Sequence, residues 1–313
     1  MIEDYTKQWQ GIPVKAYNPG EALECPYRIY RIAYSWDHED WGGFREQVAK
    51  YLADPACQET VGLSLGLCND TADGFYTDAV KPLLENKASF PKLRWLFLGE
   101  MLMEDSELSW IGQGDVGTPV LDAFPLLEEL HARGGEGYQS NIEFTKATHP
   151  NLKKLVIQTT GLRKETLRGI LESDFPELES LELWLGTDER EADCTVDHVR
   201  DLLLGNPFPK LKSLGLMNSE IINEVAKEIA NAPILDQLEE LSLAGGTLRD
   251  DGAQALLASA GIGTLQKLDL SHHYMSTEVM KQFAGIAPTV DVSDQEEADE
   301  WGDEVHYYVA ISE

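Results

Sequence analysis

One short phrase recurs along this chain and limits what it can fold into. Phe90-Pro91-Lys92-Leu93-Arg94-Trp95-Leu96-Phe97-Leu98, Phe175-Pro176-Glu177-Leu178-Glu179-Ser180-Leu181-Glu182-Leu183 and Phe208-Pro209-Lys210-Leu211-Lys212-Ser213-Leu214-Gly215-Leu216 are the same sentence with different side chains. Looser copies begin at Phe124, His149, Leu235 and Ile262. Each holds Leu-x-x-Leu-x-Leu or a close relative, ending in the period-two alternation of a strand. Taking one apolar position per copy, the markers run Ile32, Leu63, Leu96, Leu130, Leu155, Leu181, Leu214, Leu241, Leu268 and Val290. A strand signal at such spacing is the signature of a solenoid, in which each unit contacts mainly its neighbours.

Between the strands lie amphipathic segments at helical spacing: Phe44 to Leu52, Thr166 to Glu172, Val196 to Leu204, Ile222 to Ala230 and Gly252 to Ser259. Strands alternating with helices predict an α/β chain with a parallel sheet of about ten strands. Pro ends the preceding helix because it lacks the N–H, and Phe is expected to plug the wedge between helix and sheet. Two intervals look irregular. Gly134-Gly135-Glu136-Gly137 predicts a short or missing helix, and 99–123 reads as a protruding, Gly-rich loop.

The segment Leu241-Ser242-Leu243-Ala244-Gly245-Gly246-Thr247-Leu248-Arg249-Asp250-Asp251-Gly252-Ala253 resembles leucine-rich repeats of the ribonuclease-inhibitor type, and so does Leu268-Asp269-Leu270-Ser271. The likeness extends over about residues 27–292 and is similar to that of bacterial cytoplasmic members. It implies a leucine-rich-repeat solenoid with a curved parallel sheet inside, helices outside, and protein recognition on the concave face and its rims. The organisation expected is an irregular arm over 1–26, the solenoid over 27–292, and an acidic segment with a capping strand over 293–313.

Charge narrows the partner. The net charge is −30, with 55 acidic against 25 basic residues. Nucleic acid and anionic membranes need a positive surface, so the expected partner is another, basic protein. Cys25, Cys57, Cys68 and Cys194 form no Cys-x-x-Cys pair, and Met1 to Tyr5 has neither the basic nor the apolar region of a secretory signal; a cytoplasmic location is the expectation.

Side chains alternate along a strand, so the residues between the buried leucines should line the concave face. The candidate contacts are Trp95, Phe97, Glu129, His131, Lys154, Glu182, Trp184, Met217 and Asp269. Exposed aromatics and Met are characteristic of interface cores; the alternative for Trp95 and Phe97 is cover by the chain's own N-terminal arm or by a protruding loop. Loops leaving the strands add an acidic rim of Glu104, Asp105, Asp188, Glu189, Asp250 and Asp251. Part of that rim is ordinary helix chemistry, since acids complement helix N-termini. A recognition scaffold without cofactor, metal or catalytic residues is the leading reading. An inhibitor or immunity-type protein that sequesters a basic enzyme is a narrower version of it.

The enzyme alternative would place chemistry in the 99–123 loop or at Cys194 and His198, which fall i, i+4 on an expected helix beside Asp197. No nucleophile, base and orienting group stand together there. Gly112-x-Gly114-x-x-Gly117 spells a dinucleotide fingerprint but lacks an obvious flanking strand and helix. His272-His273 reads as a polar turn, and His38 among Asp37, Glu39 and Asp40 as a solvated loop.

Overall fold

The computed structural model describes residues 4–23, 28–34, 43–67, 75–135, 141–302 and 304–313. His38 with its acidic neighbours, and Cys25 and Cys68, lie outside the described residues. The chain divides into two compact units, one over 2–158 with 173–176 and one over 159–172 with 177–313.

In the first unit, strands Lys15–Ala16, Ile29–Ile32, Gly62–Leu65, Trp95–Leu98, Glu129–Arg133 and Lys154–Gln158 pair in parallel, in that order. In the second, Ser180–Gly186, Ser213–Ser219, Glu240–Ser242, Lys267–Asp269 and Thr289–Asp291 do the same. Within each unit successive strands are neighbours and helices intervene between most of them, so the fold is the leucine-rich-repeat solenoid that the sequence predicts. The register aligns the repeat leucines: Leu63, Leu96, Leu130 and Leu155 form one buried row, and Leu181, Leu214, Leu241 and Leu268 another.

The Phe of each Phe-Pro pair is buried, as the wedge argument requires: Phe90, Phe124, Phe175 and Phe208 are all at most 4% exposed. Helices Phe44–Ala53, Lys164–Leu171, Val196–Gly205, Ile222–Ile229 and Asp250–Ala258 carry the other layer. Neighbouring repeats also tie together at helix starts, where Asn223 Oδ1 accepts the N–H groups of Arg249 and Gly252, each at 3.1 Å. No helix among the described residues is long and apolar enough to cross a membrane.

Two expectations are corrected. Segment 99–123 does not protrude. Met101, Leu102, Leu108, Ile111 and Val116 are buried, and a short strand Gly114–Asp115 and a helix Thr118–Ala123 lie within it. Its apolar side chains outweigh its glycines. Gln113 Nε2 donates to the Arg133 carbonyl at 2.7 Å, while Gly99, at φ +80°, passes so close to that carbonyl that a Cβ would sit 2.0 Å from it. Among the described residues, no helix joins the strands Glu129–Arg133 and Lys154–Gln158.

The second correction concerns 305–311, which does not cap the last unit as a strand. Glu304–His306 instead pairs antiparallel with Asp299–Trp301. The tail then runs back over the loops that leave the strands. There Val309 and Ile311 are buried, and the Asn218 amide donates to the Ile311 carbonyl at 2.7 Å and accepts its N–H at 2.9 Å. Burial of two aliphatic side chains and a matched amide favour this path over an edge position.

Candidate protein-interaction face

The face opposite the helices differs between the two units. In the first, outward positions form the rows Ile29, Gly62, Trp95, Glu129, Lys154 and Arg31, Ser64, Phe97, His131, Val156. The arm covers much of them. Gln8–Trp9 and Ile12–Pro13 pair as a hairpin across Gln10 and Gly11, both at positive φ (47° and 78°), as a type I′ turn requires. The hairpin delivers Trp9 into a cluster with Ile29, Trp95 and Phe97, bordered by Ile12, Val14 and Val61.

Trp95 is 1% and Phe97 4% exposed. This corrects their assignment as open contacts: two large aromatics on a solvent-facing row carry an apolar area that the arm removes from water. The sequence held a sign of it, since Trp95-Leu96-Phe97-Leu98 is apolar at four successive positions, the pattern of a strand buried on both faces. His131 lies 5.1 Å from the Phe97 ring and 3.6 Å from Glu129. Burial would raise the Glu129 carboxyl pKa, but His131 and Lys154 hold it below the ordinary range. Glu129, His131 and Lys154 are half-buried at the border of this plug.

A buried ion pair fastens the arm. Glu100, 1% exposed, accepts from Arg31 Nε at 2.8 Å, from the Thr6 N–H at 2.5 Å and from the Ser64 hydroxyl. Arg31 also donates to the Thr6 carbonyl at 2.8 Å and lies over the Tyr5 ring at 4.2 Å. Tyr5 donates its hydroxyl hydrogen to Asp105. Asp105, expected on the acidic rim, is thus engaged in holding the arm.

The second unit keeps its outward face accessible. Its rows are Ser180, Ser213, Glu240, Lys267, Thr289 and Glu182, Gly215, Ser242, Asp269, Asp291. Glu240, Lys267, Thr289 and Asp291 are exposed, while Glu182, Asp269 and Met217 are half-buried. Trp184 is buried at 1%, with its ring N–H on Glu182 Oε1 at 3.0 Å, so it supports the face instead of offering itself as an anchor. Four carboxylates and one ammonium thus share adjacent strands about 4.8 Å apart. Asp269 and Asp291 are register partners, a like-charge pairing that is locally unfavourable. Hydrogen bonds from Ser293, with Lys267 adding a smaller attraction, hold the Asp291 carboxyl below its ordinary range.

The rims also divide. At the ends entering the strands, bases meet acids of the neighbouring repeat: Lys92 with Glu59 at 2.6 Å, Lys153 with Glu128 at 2.9 Å and Lys210 with Glu177 at 2.6 Å. At the leaving ends Glu104, Asp188 and Glu189 stay exposed, whereas Asp250 accepts the Ser276 N–H at 2.6 Å and Asp251 pairs with Lys227 at 2.5 Å.

At the places where the enzyme reading put chemistry, the described side chains are engaged in the fold. Cys194 precedes the helix, and burial, with Asp193 nearby, pushes its thiol pKa up to about 12. His198 Nδ1 accepts the Thr195 N–H at 3.0 Å as part of the helix cap. In the glycine string, Asp115 Oδ1 already takes the Gly117 N–H at 2.9 Å, and the helix that follows has 6 residues. His273 is fully buried and satisfied, with Nε2 3.0 Å from the Val292 carbonyl and Nδ1 accepting the Met275 N–H at 3.1 Å.

No family model and no curated protein matches the chain. Among solved structures, a crystal structure of a Bacteroides fragilis protein, determined as a structural genomics target, superposes with a TM-score of 0.77 at 32% identity, covering 88% of this chain and 76% of that one. An internalin from Listeria monocytogenes overlaps at a TM-score of 0.32 and 12% identity, over 79% of this chain and 71% of that one, too remote to argue from. At nearly a third identity over most of both chains, the protein belongs to the same family as the Bacteroides fragilis protein.

Proposed function

We infer that this protein is a non-enzymatic recognition scaffold whose contact surface is the accessible face of the second unit. The observation that carries this reading is the pairing of openness with charge. Ser180, Ser213, Gly215 and Ser242 keep the face low, and Glu182, Glu240, Asp269 and Asp291 rise from it around Lys267. A shallow acidic floor suits a basic protein surface. The carboxylates speed its approach and are relieved of mutual repulsion when it docks. Asp188 and Glu189, exposed at the leaving ends of the same unit, extend the negative field. Asp269, Glu182 and Met217 retain a contact role and Trp184 supports them from beneath, whereas Trp95 and Phe97 belong to the arm-covered face of the first unit.

The test is cross-linking mass spectrometry in a lysate of the source cells, at low and high salt. It compares the unaltered chain with Glu182→Lys/Glu240→Lys and with a helix-face control, Asp201→Lys/Glu278→Lys. Expected is a basic protein cross-linked by the unaltered chain and the control, lost in the face variant, and weakened by salt. Equal capture by all three chains would refute the assignment of this face.

A further inference from the structure

The turn leaving the strand Lys267–Asp269 brings three metal-ligating side chains together. His272 Nδ1 lies 3.4 Å from Asp294 Oδ2 and 3.7 Å from Glu296 Oε1. One ligand atom from each residue falls within 4.8 Å of the others. The backbone holds the two segments in place: the His272 N–H donates to the Ser293 carbonyl at 3.0 Å and the Glu296 N–H to the His273 carbonyl at 2.8 Å.

The other ring nitrogen orients the imidazole. His272 Nε2 is 3.1 Å from the Tyr308 carbonyl. A carbonyl only accepts, so Nε2 carries the hydrogen and Nδ1 is the atom presented to the carboxylates. In the neutral ring this points a lone pair at two anions, an arrangement that a cation relieves. A ring N–H on a backbone carbonyl, opposite a nitrogen turned toward carboxylates, is the usual support of a metal-bound histidine. Bonds of about 2.0–2.1 Å in a tetrahedral site set ligand atoms about 3.4 Å apart, close to the two separations between His272 and the carboxylates.

We propose that His272 Nδ1, Asp294 and Glu296 form a divalent-cation site that fastens the C-terminal tail. Imidazole with two carboxylates suits zinc and similar transition ions, whereas calcium and magnesium favour all-oxygen sites. Three protein ligands leave a fourth position for water. Bound metal would draw electron density from the ring and strengthen the Nε2–H bond to Tyr308. Tyr308 is already clasped by Tyr274, whose hydroxyl lies 3.0 Å from its carbonyl and 2.8 Å from its nitrogen. Metal occupancy and tail docking would therefore be coupled. The histidine distinguishes this cluster from the many acidic groups of a chain with net charge −30.

The test titrates the metal-free 313-residue chain with Zn²⁺ by calorimetry and with Co²⁺ by visible absorption. Expected are one stoichiometric site, Co²⁺ bands of four-coordinate intensity, and slower hydrogen exchange at the Ile311 amide when Zn²⁺ is bound. His272→Ala and Glu296→Gln should each weaken that site at least ~10-fold, with circular dichroism confirming the fold. Should His272→Ala fail to fold, Glu296→Gln carries the test. Absence of a stoichiometric site, or equal Zn²⁺ binding by the variants, would overturn the proposal.

Discussion

Replacing Glu100 by Gln should loosen the first unit more than any surface change. The carboxylate is 1% exposed, and its Arg31 partner's side chain is 15% exposed. Glutamine keeps the shape but leaves a largely buried guanidinium without its counter-charge. Removing one partner of a buried pair costs about 3–5 kcal/mol, a large part of the roughly 5–15 kcal/mol that stabilises a typical domain. Thr6 and Ser64 also lose their charged acceptor, so the arm should release and uncover Trp95 and Phe97.

The sign of the pH dependence follows from the same groups. Burial would raise the Glu100 carboxyl pKa, but the Arg31 charge and the hydrogen bonds from Arg31, Ser64 and Thr6 hold it below its ordinary value. Its stabilisation is therefore complete above the unfolded value, about 4.3, and disappears as pH falls through the lower folded value. Urea unfolding followed by tryptophan fluorescence, with binding of a hydrophobic dye in native buffer, reads both effects. The double change Arg31→Met/Glu100→Met should cost less than Glu100→Gln, because no charge is then buried alone. A Glu100→Gln chain less than about 1 kcal/mol weaker, the net worth of an ordinary hydrogen bond, and with no added dye binding would refute this account of the arm.

Three further outcomes follow from the structure. The Cys194 thiol, pushed up to about 12 by burial, should react with maleimide in the native chain far more slowly than after denaturation; similar rates would place it outside the buried setting. Gly99→Ala puts a Cβ 2.0 Å from the Arg133 carbonyl at a left-handed φ of 80°, so a loss of at least about 2 kcal/mol in urea unfolding is expected. Asn218→Ala removes both hydrogen bonds to Ile311 and should speed exchange at the 309–311 amides by about one to two powers of ten, at ~1 kcal/mol per bond, without unfolding the repeats.

The repeats were legible because each unit restates its pattern. Leu63, Leu96 and Leu130 occupy one row since the same spacing places them there. The arm was not legible in that way. Trp9 reaches Trp95 and Thr6 reaches Glu100 through contacts some 90 residues apart, and no local period encodes such a meeting. Alternation told which side of the strand Trp95 takes, but not what lies above it. Likewise His272 read as a turn residue, because its partners Asp294 and Glu296 stand inside an acidic stretch that looks like solvated charge.

The arm's long reach also sets an order of events. Residues 6 and 9 leave the ribosome well before residues 95 and 100, so the hairpin has nothing to seal while the first repeats are being made. Closing so wide a loop carries an entropic cost that only the finished strands repay. The seal thus forms after the repeats beneath it, and an interrupted or truncated chain would present a bare aromatic strip to any chaperone or neighbouring chain nearby.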